Sequence, residues 1–367
     1  MPPDVDVAVV GAGLAGAASA RALAARGMSV VVFEQFAAGH ARGSSHGSAR
    51  IFRRAYDDEL YVGLTGRAHE LWRDLEIESG REILRTTGGV DHGKRRNTEG
   101  IARRFDTANV AYELLDPAAA EERWPGMVFD DTVLFHPQAG VIDADLAVDT
   151  FLSLAHGDGA EIRREAPVSS VHARDDRAEI RLAGGIGVTA RCVVISAGSW
   201  LGTLASEAAI PLPALTVTQQ QYFHFLRRDD SAQWPTMVHT DRLEAYGLDS
   251  GRDTGAVTSY KIGEHDNGTI TTADGRDGIV DAGSRTRISD YVREYLPGLE
   301  PEPIGEGTCL YTRTDNEDFV LARRGPIVVC SPCSGHGAKF APLTGVLVAD
   351  LVDGGPAPDP RFRLPAG

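Results

Sequence analysis

The sequence predicts an α/β protein: a parallel-sheet domain assembled from three stretches of chain, with a second, α+β domain based on a mixed or antiparallel sheet inserted between them. Three observations predict this. The first 34 residues read as strand, glycine-rich turn, helix and strand. Continuous apolar strands recur at the start, middle and end of the chain, over residues 5–10, 192–197 and 327–330. Between 211 and 305 the pattern changes, and Val217, Tyr222, Phe223, Phe225, Met237, Val238 and Tyr260 sit among alternating polar residues. The expected division puts 1–82, 141–210 and 306–367 in the first domain and 83–140 and 211–305 in the second.

The opening unit is the most specific. Residues 5–10 run into Gly11-Ala12-Gly13-Leu14-Ala15-Gly16; an alanine-rich helix over 17–26, a turn at Gly27 and a strand over 29–33 follow, closed by Glu34. This is the order of a Rossmann-type dinucleotide-binding unit. Gly11 permits the tight turn, Gly13 leaves no side chain between backbone and pyrophosphate, and Gly16 lets helix and strand pack closely. The helix N-terminus offers free N–H groups and a positive partial charge to phosphates. Glu34, 18 residues past Gly16, is placed to accept the hydroxyls of an adenosine ribose, which argues against a 2′-phosphate and so against NADP. By itself the unit fits FAD or NAD.

A loop rich in Gly, Ser, His and Arg spans 37–54. An amphipathic helix follows over 59–78, with Leu60, Leu64, Ala68, Leu71, Trp72 and Leu75 at helical spacing. Strands are expected over 81–92, helices over 98–109 and 116–123, and a helix over 143–155 capped by Asp143 or Asp145. Short strands follow at 161–162, 168–174 and 178–182. After the strand 192–197, Ala197-Gly198 again allows close approach of a cofactor. A helix over 284–295 ends at Pro297-Gly298, and the late glycine-rich segment 334–339 leads into a helix through 345–351. Trp124, Trp200 and Trp234 are expected as packing residues.

Composition sets the outer bounds. At 367 residues, 42% hydrophobic and 24% charged, the chain can bury a large core, and neither disorder nor a coiled coil is indicated. A net charge of −15 repels a polyanion and argues against a nucleic-acid partner. No apolar run approaches the ~20 residues of a membrane span. The chain starts almost directly with a strand, so no signal peptide is expected, and four cysteines suggest a reducing compartment. The expectation is a soluble cytoplasmic protein without a membrane partner. Cys192 reads as core. Cys330 and Cys333 form a C-x-x-C spacing without the second pair a zinc site would want, so no metal site is expected.

Four further motifs narrow the field: Gly43-Ser44-Ser45-His46-Gly47-Ser48-Ala49-Arg50-Ile51-Phe52-Arg53-Arg54-Ala55-Tyr56, Tyr260-Lys261-Ile262-Gly263-Glu264-His265, Cys309-Leu310-Tyr311-Thr312-Arg313-Thr314, and Ser334-Gly335-His336-Gly337-Ala338-Lys339-Phe340. Together, in this order and across nearly the whole chain, they resemble the monomeric sarcosine oxidase and N-methyltryptophan oxidase family of D-amino-acid-oxidase-like amine oxidases. The resemblance implies FAD, a two-domain fold with an FAD-binding and a substrate domain, and a monomer. It implies oxidation of secondary amino acids, N-methyl or cyclic, by hydride transfer to flavin N5, with reoxidation by O2 to H2O2.

The resemblance also assigns residues. Cys309 would attach to the flavin 8-methyl through a thioether, its thiolate favoured by a cation such as Arg313. Arg53 and Lys339 match the pair that clamps the substrate carboxylate, as a planar fork and a point charge facing one pocket would. Arg50 resembles the arginine over the flavin ring, where a fixed cation stabilises the reduced form. Lys261 matches the lysine that activates oxygen, and its small or apolar neighbours favour burial. His46 and His265 match polar residues near flavin and substrate, and Tyr311 and Tyr246 are candidate pocket walls. Ser44, Gly335, His336 and Gly337 join Gly11, Gly13, Gly16, Glu34, Ala197 and Gly198 as expected cofactor contacts. The chain departs from the family's pattern at Ala49, where Thr is frequent, and at Cys333, where a bulky aromatic is usual. Both departures leave room for a tailoring oxidase acting on a cyclic imine or primary amino acid. A flavin dehydrogenase with another electron acceptor is disfavoured by Lys261. A non-enzymatic nucleotide-binding protein would have no use for Arg53, Lys261 and Lys339 together.

Overall fold

The structure, a computed structural model, describes residues 3–355 and 358–365. Residues 1–2, 356–357 and 366–367 of the predicted first domain lie outside the described residues.

The three apolar stretches meet in one sheet. Val5–Val10 lies between Val30–Phe33 and Gly187–Ile195, parallel to both, with Val10 opposite Phe33 on one side and Ile195 on the other. Glu161–Arg163 extends the sheet beyond Val30–Phe33, and Ile327–Ser331 extends it beyond Gly187–Ile195, again in parallel. The long strand Gly187–Ile195 also pairs through its first half with Ala178–Leu182. Helices Leu14–Ala25 and Ala341–Val352 pack together against one face. A Cβ on Gly16 would stand 1.8 Å from Gly11 O, so only glycine permits this meeting of helix and turn.

The second sheet is mixed. Its order is Thr269–Ile270, Thr216–Arg227, Ser259–Glu264, Glu244–Asp249, Thr236–Thr240, Gly89–His92, Val133–His136, Glu113–Leu115, with Leu299–Arg313 also paired to Thr216–Arg227. Among the described residues of this sheet, only the pair Thr236–Thr240 and Gly89–His92 is parallel. Alternation holds on Thr216–Arg227, where Phe223 and Phe225 enter the core against helix Ala282–Tyr295. The predicted boundary at 305/306 falls inside the strand Leu299–Arg313, and that at 140/141 inside Gly140–Ile142.

Two details differ from the sequence reading. The loop 37–54 contains a strand, Arg50–Phe52, which pairs with Gly140–Ile142 in a small third sheet. Three residues are too few to show an alternation, and the partner strand is distant in the chain. The first helix begins at Leu14, immediately after Gly13 and with Gly16 in its first turn, rather than at 17. Asp143 caps the helix Ala144–Gly157 by accepting from Leu146 N at 2.9 Å, while Asp145 accepts from Gly47 N.

Candidate active site

One cavity of 1320 Å³ runs between the two large sheets. It exceeds the ~300–1,000 Å³ of an ordinary ligand site and leaves room for a dinucleotide plus a substrate. Its first end is made of backbone. Val10 to Ala15, Glu34, Ala197 and Gly198 line it, with the N-terminus of helix Leu14–Ala25 pointing in. Glu34 accepts from Ala12 N at 2.9 Å and from Phe36 N at 3.0 Å, so its carboxylate is fixed at the strand end. Ser45 Oγ accepts from Leu14 N at 3.0 Å, and a Cβ on Gly13 would stand 2.9 Å from that Oγ. The cradle therefore fits a pyrophosphate approached by bare backbone, and a ribose held by Glu34.

In the middle, side chains take over. Cys309 lies on Leu299–Arg313 opposite Gln220, half-buried and facing the cavity. Ser44 donates to Leu310 O. Arg50 donates to the carbonyls of Ala49, Ser44 and His46, so its guanidinium is clipped onto its own loop. Lys261 is 3% exposed, as its neighbours suggested. Its Nζ donates to Ala49 O at 3.4 Å, lies 3.6 Å from Asp253 and stands 4.1 Å over the Tyr222 ring. Burial and the Arg50 cation push its pKa down to about 7 against the opposing pull of Asp253. Asp253 is in turn held by Ser48, through N at 2.6 Å and Oγ at 2.7 Å. Burial raises the Asp253 carboxyl, but the Ser48 hydrogen bonds and Lys261 outweigh it and hold it below the usual value.

The far end holds two cations. Lys339 is 5% exposed and donates to His336 O at 2.7 Å. Arg53 donates to Ala55 O and lies 4.8 Å over the Tyr56 ring. Among the described residues, neither forms an ion pair with an acidic side chain. Burial and the facing Arg53 push the Lys339 ammonium well below its ordinary pKa. A bound anion would reverse that. Tyr56 OH meets His336 Nδ1 at 3.0 Å, and the rings of His265 and Tyr311 lie 5.7 Å apart. Burial, followed by the Arg53 cation, lowers His265 to about 4, so it is neutral at pH 7. Burial raises the Tyr311 and Tyr246 phenols.

Lys261, Arg50, His265, Tyr311, Arg53, Lys339, Tyr246, Ser44, Cys309, Gly335, His336 and Gly337 all line this cavity, together with the backbone cradle. Three expectations need correction. His46 is not among the lining residues; it sits behind Arg50 with Nε2 buried and without a partner. Gly16 packs against Gly11 instead of lining the cavity. Arg313, expected beside the Cys309 thiol, instead pairs with Asp266 and Glu317. Asp253 and Tyr222 escaped the sequence reading as site residues. The only available signal for Asp253 was the Ser250-Gly251-Arg252-Asp253 turn joining two strands, which says nothing of the lysine eight residues on.

Three comparisons bear on this site. A protein-family model described as FAD dependent oxidoreductase matches residues 6–351. The chain is 31% identical to a monomeric sarcosine oxidase of Streptomyces avermitilis, covering 96% of this chain and 94% of that protein. It is 28% identical to an N-methyl-L-tryptophan oxidase of Yersinia pestis, over 97% of this chain and 96% of that protein. Among solved structures, NikD, an unusual amino acid oxidase essential for nikkomycin biosynthesis, superposes with a TM-score of 0.87 at 25% identity, covering 98% and 97% of the two chains. An L-proline dehydrogenase from P. horikoshii shares the fold, with a TM-score of 0.84 at 21% identity over 98% and 96%.

Proposed function

The chain belongs to the FAD dependent oxidoreductase family, in its sarcosine oxidase and N-methyltryptophan oxidase branch, and from that premise we propose that it oxidises secondary α-amino acids, N-methyl or cyclic, with O2 as electron acceptor. It is an FAD-dependent enzyme acting on CH–NH donors. When bound, FAD supplies the hydride acceptor, which O2 then reoxidises with release of H2O2.

The observation that carries the reading is the pair Arg53 and Lys339: two cations lining one cavity, Lys339 buried and Arg53 half-buried, with no acidic partner among the described residues. A substrate carboxylate completes that pair through charge-assisted hydrogen bonds. The carboxylate then fixes the α-carbon and the amine at one place in the cavity, which is where orientation lowers the barrier. Neutral His265 and the Tyr311 ring wall that place without adding charge. Arg50, clipped to its loop, offers a fixed positive charge to the reduced cofactor. Lys261, boxed by Ala49 O, Asp253 and Tyr222, offers an ammonium where superoxide would form. Cys309, half-buried on the same wall, is the residue for a thioether to the flavin. The nucleotide cradle belongs to the three-segment domain, which also supplies Arg53 and Lys339, while Lys261, Tyr246 and Tyr311 come from strands of the mixed sheet. The enzyme acts as a monomer in this reading.

A second reading has one observation in its favour. Cys333, small where the family has an aromatic, lines the cavity, and the structural likeness to NikD points the same way. Under it the enzyme tailors a bulkier cyclic imine or primary amino acid.

The test is anaerobic mixing with sarcosine, N-methyltryptophan, proline, pipecolate and matched primary amino acids. Bleaching of the flavin by a secondary amino acid, reversed by air with H2O2, supports the first reading; bleaching by primary amino acids alone replaces it with the second. Acid precipitation tests the linkage: colour leaves with the protein if Cys309 holds the flavin, and stays in solution if it does not.

A further inference from the structure

A second cluster of titratable side chains lies outside the flavin cavity. His92 ends the strand Gly89–His92, and His239 lies in Thr236–Thr240; the two strands are parallel and in register, with His239 opposite His92. Asp130 reaches them from the loop before Val133–His136. Val238 and Thr240 line the cavity, so alternation turns His239 to the other face of the sheet. There the helix Ala282–Tyr295 packs on it, with the Tyr291 and Tyr295 rings 5.6 and 4.6 Å away.

The cluster is buried, polar and unsatisfied. Both histidine side chains are 1% exposed and that of Asp130 is 16% exposed. His92 Nδ1 lies 3.5 Å and His239 Nε2 3.3 Å from the same Asp130 oxygen. Both exceed the ~2.7–3.2 Å of an N–H···O hydrogen bond. His92 Nδ1 and Nε2, both Asp130 oxygens and His239 Nε2 have no hydrogen-bond partner. Buried polar atoms are nearly always paired, so five orphans in one place call for an explanation.

A cation supplies one. Bonds of ~2.0–2.2 Å at tetrahedral angles put two ligand atoms ~3.3–3.6 Å apart, which is the spacing of each imidazole nitrogen from the carboxylate. The three donor atoms lie within 4.8 Å of one another. The imidazoles stack with centroids 4.2 Å apart, so a shared ion requires the rings to turn until their nitrogens converge on it. His239 Nδ1 meets Tyr291 OH at 3.0 Å, the kind of outer contact that fixes the tautomer of a ligating histidine. The part-exposed Asp130 gives the ion a way in.

We propose that His92, Asp130 and His239 bind one divalent transition cation of the zinc class. Two imidazoles and one carboxylate suit such an ion and disfavour magnesium or calcium, which prefer oxygen cages. The ion ties the loop carrying Asp130 to two parallel strands, on the sheet face opposite the cavity, so its role is structural. The competing arrangement is a metal-free one, in which Asp130 accepts a hydrogen bond from each imidazole.

The test uses chelator-treated holoenzyme, titrated calorimetrically with zinc chloride and with magnesium chloride, and followed by thermal melting. The expected result is one zinc per chain, a melting midpoint raised by several degrees, no response to magnesium, and at least ~10-fold weaker zinc binding in Asp130→Asn and His239→Gln. No zinc-dependent rise in the wild-type enzyme overturns the proposal, as does equal zinc binding by wild type and Asp130→Asn. Cobalt substitution of the wild-type enzyme needs no variant: d–d bands of a low-coordinate N/O site support the proposal, and their absence overturns it.

Discussion

The two ends of the cavity are built from opposite materials. The nucleotide end is backbone: glycines, a helix N-terminus and one carboxylate, contributed mainly by the first 34 residues, with Glu34 fixed by Ala12 N and Phe36 N and with Leu14 N held by Ser45 Oγ. The substrate end is side chains: Arg53, His265, Tyr311 and Lys339 come from four distant segments and leave two cations without an acidic partner among the described residues. The first end is complete as a shape and tolerates no added atoms. The second is incomplete as a charge distribution and tolerates no lost charge. The same fold thus contains a site specified by what is absent from the chain and one specified by what is present.

That contrast can be broken from either side. The largest effect is expected from Gly16→Ala, whose new methyl would collide with Gly11 O at 1.8 Å. Overpacking costs ~1–3 kcal/mol even in a relaxing core, and here the obstacle is backbone. Flavin content and melting temperature should both fall sharply; a yellow, stable variant would refute the steric account of the cradle. Next comes Lys261→Met. Anaerobic bleaching by substrate should persist while air reoxidation slows by ~10²–10³-fold, the usual loss for one preorganised charge. Unchanged reoxidation would remove Lys261 from the oxygen step.

Arg53→Met should then lower kcat/KM by ~10–100-fold through lost carboxylate binding, with Arg53→Lys recovering only part, since the planar fork is gone. The measurement is steady-state kinetics on any bleaching substrate, and an unaltered KM would count against the clamp. The smallest effect is a shift of a pH profile. Burial and Arg50 bring Lys261 down to about 7, so the ammonium is present below that pH and lost above it. The rate of reaction with O2 should fall as pH rises through about 7. Asp253 is the group that holds the Lys261 proton on, so Asp253→Asn should move that fall to lower pH; no displacement would show that Asp253 does not act on Lys261.

Legibility in the sequence followed the same division. The cradle could be read residue by residue because its chemistry is local: turn, helix start and strand end lie within one βαβ unit. The helices were legible from apolar spacing and from caps such as Asp143. Lys261, Arg53 and Lys339 were legible as site residues only through motifs, because each alone reads as a solvated charge. Asp253 was not legible, since its link to Lys261 depends on the loop before Ser259–Glu264 folding over Ser48. His46 was misplaced for the complementary reason: a motif position says which loop a residue is on but not which side of Arg50 it takes. The strand Arg50–Phe52 was hidden because its pairing partner, Gly140–Ile142, lies some ninety residues away.

The central claim is that a carboxylate completes the Arg53–Lys339 pair. The most direct measurement is anaerobic flavin reduction by each secondary amino acid of the panel beside the matching amine that lacks the carboxylate. Reduction by an amino acid, with its decarboxylated counterpart slower by ~100-fold or more at equal concentration, is the predicted result. Equal reduction by both members of a pair would contradict the account and leave the two cations without their function.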